Sequence, residues 1–340
     1  MTPAEAFQET LTRTPCTALA PMQDVTDLPF WKLMARYGGP DLYYTEYFRI
    51  REGFKLERPI LKSITHNPTG KPAVAQMIGN HIPSLVTAAQ ELQQHPVAAI
   101  DLNLGCPAPV VYKKCAGGGL LREPDRVDSI LGALREAVQI PFTVKTRIGF
   151  DDPGVFAELL PIFERHQIDL LTVHGRTVRE GYRSGAVDTL PCPVLANGNV
   201  YSAAKAAEVL KNTRAAGLMI GRGAIRNPWL FHQIRQSLAG ETPFMPVGHD
   251  VLQYLRDLFE TVRPPSLKDR AHVQKIKKYF NYIAIGIEPT GDFLHRIRRV
   301  TTADELFTVC EEYLDHDRPM PLEPFDLDLK PRDVLAGEHR

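Results

Sequence analysis

The stretch that decides the fold is DLNLGCPAP, residues 101–109. It continues the apolar run 97–100, which is typical of a buried strand. A glycine and a proline then force a loop, because glycine relaxes the backbone and proline cannot donate a hydrogen bond to a neighbouring strand. The carboxamide of Asn103 and the thiol of Cys106 therefore lie where a buried strand opens into a loop. Parallel α/β proteins build their active sites at such positions.

Apolar runs of strand length recur eight times along the chain and alternate with segments of helical spacing. This alternation predicts an α/β fold, the (β/α)8 or TIM barrel. A doubly wound sheet is the alternative, but it usually has fewer units and a glycine-rich first turn. The candidate for that turn, residues 221–226, lacks the third glycine and comes last in the series. The runs are residues 16–19, 42–45, 73–75, 98–100, 142–144, 170–173, 194–196 and 217–220.

Several of these runs end in a polar side chain that the core of a barrel does not need. The carboxyl ends of barrel strands meet at one mouth, so polar residues there surround a common ligand. This distribution favours the barrel over the doubly wound sheet and predicts a ligand site at the mouth. The residues are Gln76, Asn103, Lys145, His174, Asn197 and Arg222.

Shifts in composition divide the chain into three predicted parts. Residues 1–240 contain the strand–helix alternation and form the predicted barrel. A short linker rich in Gly and Pro follows, and residues 247–318 have the helical periodicity of a small C-terminal helical domain. Residues 319–340 are rich in Pro and Asp and predict an extended acidic tail.

Charges balance over the whole chain, with 40 Lys and Arg against 40 Asp and Glu, but they are unevenly distributed. Residues 268–299 carry eight basic and three acidic side chains, whereas residues 303–340 carry eleven acidic and four basic ones. The neutral total therefore conceals a basic segment followed by an acidic one. Such a basic run usually marks a solvated surface, and it becomes a candidate phosphate-binding surface if the substrate is RNA.

Other features bound the class of protein. The sequence lacks an apolar run of 18 residues, so it predicts no membrane span. The first 14 residues are polar, so no signal peptide is expected. The five cysteines are widely spaced without a CxxC pair, which argues against a disulfide framework or a zinc site and favours a reducing cytoplasm.

Cys106 is the first candidate for chemistry, because core packing gives a cysteine between glycine and proline little role. An ordinary thiol, with a pKa of about 8.5, is mostly protonated at neutral pH. Cys106 is therefore a candidate general acid as well as a candidate nucleophile, depending on its partners.

Lys145 ends the run 142–144 and is expected inside the barrel mouth. A buried cation there needs an electron-rich partner such as a carboxylate, a phosphate or the edge of a flavin. A Schiff base is the competing function for this lysine. His174 is also expected at the mouth, and because no second His or Cys stands at ligand spacing from it, no metal is expected.

Glycine-containing loops follow the last two predicted strands. Barrels often bind phosphate with backbone N–H groups of the loops after strands seven and eight. The sequences Asn197-Gly198-Asn199 and Gly221-Arg222-Gly223 occupy these places, and Arg222 adds a positive charge. As a pair, they predict a phosphate site.

Taken together, these motifs resemble the tRNA-dihydrouridine synthase family, flavin enzymes that reduce a uridine in the D-loop region of tRNA. The shared motifs span about two thirds of the chain in family order, each at a strand end. They are APM (20–22), TE (45–46), Gln76, DLNLGCP (101–107), GGGLL (117–121), VKTR (144–147), VHGRT (173–177), GY (181–182), ANGN (196–199) and MIGRG (219–223).

The resemblance implies an FMN-containing barrel, a C-terminal helical domain that binds tRNA, and NADPH as the reductant. It implies that hydride from flavin N5 reaches C6 of uracil while Cys106 protonates C5. The family often has an acidic residue where this chain has Asn199, which can still accept a hydrogen bond. The implied flavin contacts are Ala20, Pro21, Met22, Gln76, Lys145 and His174, with Asn197, Gly198, Asn199, Gly221 and Arg222 at the phosphate. The implied substrate contacts are Asn103, Arg176 and Tyr182 at the uracil and Lys275, Lys277 and Lys278 on the tRNA.

Three other functions compete with this interpretation. An aldolase-type lyase would use Lys145 as a Schiff base, but it does not explain Gln76 or Cys106. A flavin barrel acting on a free pyrimidine, such as a dihydroorotate dehydrogenase, does not need the basic helical segment. A non-catalytic tRNA-binding protein would lack a flavin. The expected protein is a cytoplasmic monomer.

Overall fold

Eight parallel strands close into a barrel in the computed structural model, which describes residues 1–13, 15–179, 192–264 and 266–325. The strands of these residues are β1 (Cys16–Leu19), β2 (Leu42–Tyr44), β3 (Phe48–Arg49), β4 (Ala73–Ile78), β5 (Ala99–Leu104), β6 (Phe142–Arg147), β7 (Leu170–His174), β8 (Val194–Asn197) and β9 (Gly217–Ile220). Parallel pairing runs in the order β2-β1-β9-β8-β7-β6-β5-β4, and β2 also pairs with β4, which closes the ring. The two-residue β3 pairs with β4 alone. This confirms the predicted (β/α)8 barrel and rejects the open doubly wound sheet.

Helices alternate with the strands, as the sequence predicts. The helix α1 was not predicted, although a Thr-Pro-x-Glu start encodes it: the Thr2 hydroxyl accepts from the Glu5 backbone N–H at 3.2 Å, and the Glu5 carboxylate accepts from the Thr2 N–H at 2.7 Å. The helices are α1 (Pro3–Thr12), α2 (Leu28–Arg36), α3 (Arg58–Thr65), α4 (Ile82–Leu92), α5 (Pro109–Tyr112), α6 (Pro124–Ala137), α7 (Val155–Arg165), α8 (Ala203–Thr213), α9 (Arg222–Arg226), α10 (Leu230–Leu238), α11 (Gly248–Thr261), α12 (Asp269–Ile283), α13 (Asp292–Arg299) and α14 (Ala303–Leu314).

Three central strands are longer than their apolar runs. β4, β5 and β6 continue for three or four residues beyond the predicted ends at 75, 100 and 144. Side chains alternate between the two faces of a strand. In β5, Ile100, Leu102 and Leu104 pack outward against the helices, so Asp101 and Asn103 face the barrel interior. The polar residues therefore line the inside of the upper strands instead of standing beyond the strand ends.

The lower end of the barrel interior is apolar. A cluster there joins inward residues of the strands, including Tyr44, Leu195 and Met219, to Phe7 of α1, and Leu11 packs against it. All of these residues except the half-buried Leu11 are buried. Because α1 precedes every strand and covers this cluster, ligand access is left to the opposite end, where the polar side chains lie.

A second compact unit comprises residues 32–39 and 201–206 with the chain from residue 222 onward, while residues 1–31, 40–200 and 207–221 form the barrel unit. Buried faces of α11, α12 and α14 build its core, with Tyr254, Phe280 and Leu306 among the buried side chains. Helix α10, which lies before the predicted boundary at 240, groups with this unit. The predicted boundary itself stays a prediction.

The predicted tail begins as chain that packs on the second unit. Leu322 is buried, and the backbone N–H of Phe325 donates to the carbonyl of Ile285 at 3.0 Å. The remainder, residues 326–340, lies outside the described residues. Within the described part of the chain, the helices are all too short or too polar to cross a membrane.

Candidate active site at the barrel mouth

A chain of hydrogen bonds crosses the barrel interior below Cys106. The Gln76 amide nitrogen, Nε2, donates to Oδ2 of Asp101 at 2.7 Å, and Asn103 Nδ2 donates to Oε1 of Gln76 at 2.8 Å. Oδ1 of Asn103 accepts from the backbone N–H groups of Gly105 and Cys106, both at 2.9 Å. Three side chains from two neighbouring strands therefore support the start of the Cys106 loop.

Cys106 is half-buried, and side chains and backbone hold its loop on several sides. Arg147 Nε donates to the carbonyl of Gly105 at 2.8 Å, and its NH1 group donates to the carbonyl of Thr177 at 2.9 Å. The N–H of Gly118 donates to the carbonyl of Cys106 at 3.1 Å. The backbone of the loop is thus fixed, while the residue remains partly exposed.

The glycines of residues 117–119 allow this close packing. They form a short 3-10 helix (Gly117–Arg122) against the Cys106 loop. A methyl group on Gly118 would lie 2.6 Å from Val178 and 2.9 Å from the Cys106 carbonyl oxygen, and Gly117 has φ +54°, which favours glycine. The GGG motif therefore allows the 3-10 helix to pack closely against the Cys106 loop, which helps to fix the position of Cys106.

Tyr47 is a neighbour of Cys106 that the sequence did not indicate. Burial raises the pKa of the half-buried Tyr47 phenol, and the charge and hydrogen bonding of the adjacent Cys106 raise this pKa further. The guanidinium of Arg49 lies 5.4 Å from the centre of the Tyr47 ring. The signal in the sequence is an aromatic residue directly after the Thr45-Glu46 motif.

Two charged groups inside the mouth have shifted pKa values. Desolvation and the nearby positive charge of Arg147 lower the pKa of Lys145 to about 8, against a smaller opposite effect of Asp101. Burial raises the pKa of Asp101 to about 6, although hydrogen bonds from Thr143 and Gln76 and the charge of Lys145 act against the rise. Perturbed titratable groups of this kind gather at functional sites.

Ala20, Met22 and Gly221 lie together at the upper ends of β1 and β9. A Cβ atom on Gly221 would come within 3.1 Å of Met22 Sδ and 3.3 Å of the Ala20 methyl group. The hydroxyl of Thr26 accepts from the Met22 N–H at 2.8 Å, which fixes the loop that contains Pro21. Three of the predicted cofactor residues, Ala20, Met22 and Gly221, therefore pack against one another, and Pro21 lies between the first two in the chain.

A neighbouring group of predicted residues lies at the ends of β7 and β8. His174 is half-buried and pairs in register with Arg147 on one side and Asn197 on the other. Asn197 Nδ2 donates to the carbonyl of Met219 at 2.7 Å, which ties β8 to β9. Gly198 and Asn199 both have positive φ, +128° and +51°, so the backbone turns sharply there.

Arg176 and Asn199 are in direct contact. Arg176 NH2 donates to Oδ1 of Asn199 at 2.9 Å. The sequence assigned these residues to different partners, the uracil and the flavin, and the structure brings them together. Tyr182, the third predicted uracil contact, lies outside the described residues.

The remaining predicted residues belong to the second unit. Arg222 is exposed and begins α9. Lys275 is exposed on α12. The Nζ group of Lys277 donates to the carbonyls of Arg298 at 3.0 Å and Val300 at 2.7 Å, where it holds the end of α13. Lys278 lies 5.1 Å from the centre of the ring of Tyr279, which is buried.

The family model described as dihydrouridine synthase matches residues 18–316. The tRNA-dihydrouridine synthase B of Pasteurella multocida is 32% identical over 314 residues, which are 87% of this chain and 92% of the relative. The tRNA-dihydrouridine(16) synthase of Neisseria meningitidis is 30% identical over 315 residues, 87% of this chain and 93% of the relative. A solved structure of morphinone reductase in complex with tetrahydroNAD has a TM-score of 0.48 and 14% identity over 65% of this chain and 86% of its own.

The fold and the site define a barrel enzyme whose polar mouth surrounds a positioned thiol. The chain belongs to the dihydrouridine synthase family. This confirms the resemblance drawn from the motifs and disfavours an aldolase, a dihydroorotate dehydrogenase or a non-catalytic binding protein.

Proposed function

We propose that the chain is a tRNA-dihydrouridine synthase that uses FMN and NADPH to reduce the C5–C6 double bond of a uridine in the D-loop region of tRNA. The observation that supports this most strongly is the half-buried thiol of Cys106, held at the barrel mouth by Asn103 and Arg147. An RNA-modifying enzyme needs such a group where a base enters, and family membership supplies the reaction class.

The residues at the mouth fit FMN. The Lys145 ammonium is a suitable partner for the electron-rich N1–C2=O edge of a flavin. Ala20, Pro21, Met22 and Gly221 are the residues proposed to line the flavin ring. Glycine at position 221 lets Met22 and Ala20 keep their places, because a Cβ atom there would lie 3.1 Å from Met22 Sδ. The turned backbone at Gly198 and Asn199 would hold the phosphate. The predicted contribution of Arg222 to this site stays a prediction.

Bound and reduced, FMN supplies the hydride that C6 of the uracil receives. The protein supplies the proton: the S–H bond of Cys106 breaks, and the proton goes to C5. The sulfur then carries a negative charge until it regains a proton from solvent, to which the half-buried side chain has access. The fixed loop backbone limits where the sulfur can lie and so orients the acid toward one carbon.

Gln76 has a second role besides the flavin contact that the resemblance implies. Its side chain is fully buried, and both ends of its amide bond Asp101 and Asn103. We therefore assign it to support of Asn103, in addition to any contact of its second N–H with the flavin. The predicted role of Asn103 at the uracil stands as part of this proposal.

Basic residues of the second unit would bind the tRNA backbone. Lys275 and Lys278 are the proposed phosphate contacts on α12, whereas the bonds of Lys277 to two carbonyls give it a structural task as well. A base must leave its stack to enter a barrel, and phosphate contacts offset the cost of unstacking. A cytoplasmic monomer is the proposed form of the enzyme.

The test is Cys106→Ala, with Cys115→Ala as the matched control because Cys115 is an exposed thiol nine residues further on. The Cys106 variant should stay yellow and accept electrons from NADPH, but form little or no dihydrouridine in unmodified tRNA, measured by mass spectrometry of nucleosides. The control should match the parent protein. Product near the parent level in the Cys106 variant would remove the acid role, and a colourless protein that FMN does not reconstitute would remove the flavin.

A further inference from the structure

We propose that Asp101 is a positioning residue that sets the orientation of the Gln76 and Asn103 amides and through them the backbone of the Cys106 loop. The proposal deepens the function given above, since it rests on that function for the importance of Cys106. The hydrogen-bond geometry that carries it is independent of the reaction.

The chain of bonds has a direction that starts at the carboxylate. An ionised carboxylate only accepts hydrogen bonds, whereas an amide has a donating and an accepting end. Asp101 therefore requires the Nε2 end of Gln76, which leaves Oε1 for Asn103. Asn103 must then present Nδ2 to Gln76, and its Oδ1 is left for the two backbone N–H groups. We refer to these three linked side chains as the relay.

The reverse orientation fails at the loop. If Gln76 turned its amide over, Asn103 would have to turn as well and would direct its NH2 group at the N–H groups of Gly105 and Cys106. Donors would face donors, and two backbone N–H groups, one buried and one partly buried, would lose their partner. Leaving buried groups without partners costs more than an average hydrogen bond contributes, so one orientation is selected.

The relay is almost completely buried, and a neighbouring hydroxyl holds its carboxylate end. Gln76 and Asp101 have no exposed surface, and Asn103 is 6% exposed. The Thr143 hydroxyl donates to the other oxygen of Asp101, Oδ1, at 2.6 Å. Since these side chains are almost completely buried, breaking the order of donors and acceptors leaves polar groups without partners, which is costly.

The test moves the negative charge of the relay from position 101 to position 103. In Asn103→Asp, an acceptor faces Oε1 of Gln76, so the relay is frustrated while both carboxylates are ionised. In the double variant Asp101→Asn/Asn103→Asp, the new amide at position 101 can donate to Gln76 and still accept from Thr143. Gln76 can then donate to the new carboxylate at position 103, which can accept from both backbone N–H groups. The single variant breaks the order, and the double variant restores it with the opposite direction.

A second pair keeps Asn103 unchanged. Gln76→Glu opposes two carboxylates, whereas Gln76→Glu/Asp101→Asn lets residue 76 accept from both neighbours and leaves Asn103 in its native orientation. Asp41→Asn is the matched control, because the Asp41 carboxylate likewise accepts two hydrogen bonds in the same barrel, in this case from the backbone N–H and the hydroxyl of Thr17.

The readout is amide hydrogen exchange at Gly105 and Cys106 in the full-length protein at about pH 8, followed by mass spectrometry. Each single variant keeps an acceptor at position 103, but repulsion between the two facing acceptors displaces the relay and with it the side chain at position 103. Exchange should therefore become faster by about tenfold or more, which is what loss of one hydrogen bond of ordinary strength to the loop produces. Both double variants should return to within a few-fold of the parent, and Asp41→Asn should not change.

Parent-like exchange in the single variants, or double variants no slower than the singles, would overturn the proposal, as would an equal effect of Asp41→Asn. If one single variant does not fold, the other single variant and its double variant still test the proposal. Dihydrouridine formation separates this result from failure of the proposed function: restored exchange without any product formation in the parent protein would refute the function and leave the relay standing.

Discussion

Gly118→Ala tests whether the glycine helix positions Cys106. The added methyl group would lie 2.6 Å from Val178 Cγ2 and 2.9 Å from the Cys106 carbonyl oxygen, where ordinary contacts begin at 3.4 Å. One of these neighbours is backbone, so relief requires the Cys106 loop to move. Overpacking of this kind costs about 1–3 kcal/mol of the free energy of unfolding. A displacement of about 1 Å at the reacting group lowers the rate roughly 10²-fold.

The assay combines thermal unfolding with dihydrouridine formation. Gly118→Ala should lower Tm by several degrees, about 2–4 °C per kcal/mol for a domain of this size, and lower the rate of product formation far more than flavin content. Gly132→Ala is the control, because the nearest atoms to its methyl group would be those of the His166 side chain, at 3.1 Å or more, and not the backbone of the Cys106 loop. A Gly118→Ala protein with the Tm and rate of the parent would refute the role given to the glycine helix.

Three further predictions concern charge. Lys145→Met should retain less FMN after dialysis, measured by absorbance per protein, because it removes the only cation proposed for the flavin edge; unchanged flavin content would contradict its placement. Lys275→Glu/Lys278→Glu should weaken tRNA binding and reduce the salt dependence by about one phosphate contact per lysine, measured by filter binding, with Lys211→Glu on α8 as a control; equal affinity would show that α12 is ordinary surface. Asp101 has a folded-state pKa of about 6, above its usual 3.8, so it opposes folding increasingly as pH rises from about 4 to about 6, by about 3 kcal/mol in all. As pH rises from about 4 to about 6, the parent should therefore lose stability relative to Asp101→Asn, measured as the difference between their free energies of unfolding. A difference that does not depend on pH would disprove the raised pKa.

The barrel was predictable because its strands are apolar runs separated by amphipathic helices. Their ends were harder to predict, since the apolar signal stops where the inward face becomes polar. At β5, the run ends at Ile100, but the strand continues to Leu104 because Leu102 and Leu104 still pack outward. Alternation, not the apolar run, marks the true length.

The relay below Cys106 was not predictable from local sequence. Gln76, Asp101 and Thr143 lie on three different strands, and only the pairing register brings them together: Asp101 lies opposite Gln76 on one side and Thr143 on the other. In the sequence, Asp101 is the first residue of the DLNLGCP motif, and nothing local indicates its role. The structural role of Lys277 at the end of α13 was unpredictable for the same reason, because the carbonyls to which it donates lie more than twenty residues away in the sequence.

The apolar cluster at the lower end of the barrel interior determines when α1 can dock during translation. Phe7 belongs to a helix that leaves the ribosome before any strand, yet its cluster includes Leu195 and Met219. Its docking site is therefore incomplete until almost two thirds of the chain has been translated, and during that time the apolar face of α1 lacks its native cover. A nascent chain stalled before β9 should expose this helix to proteases and holding chaperones. Once β9 has left the ribosome, α1 can cover the lower end of the barrel interior.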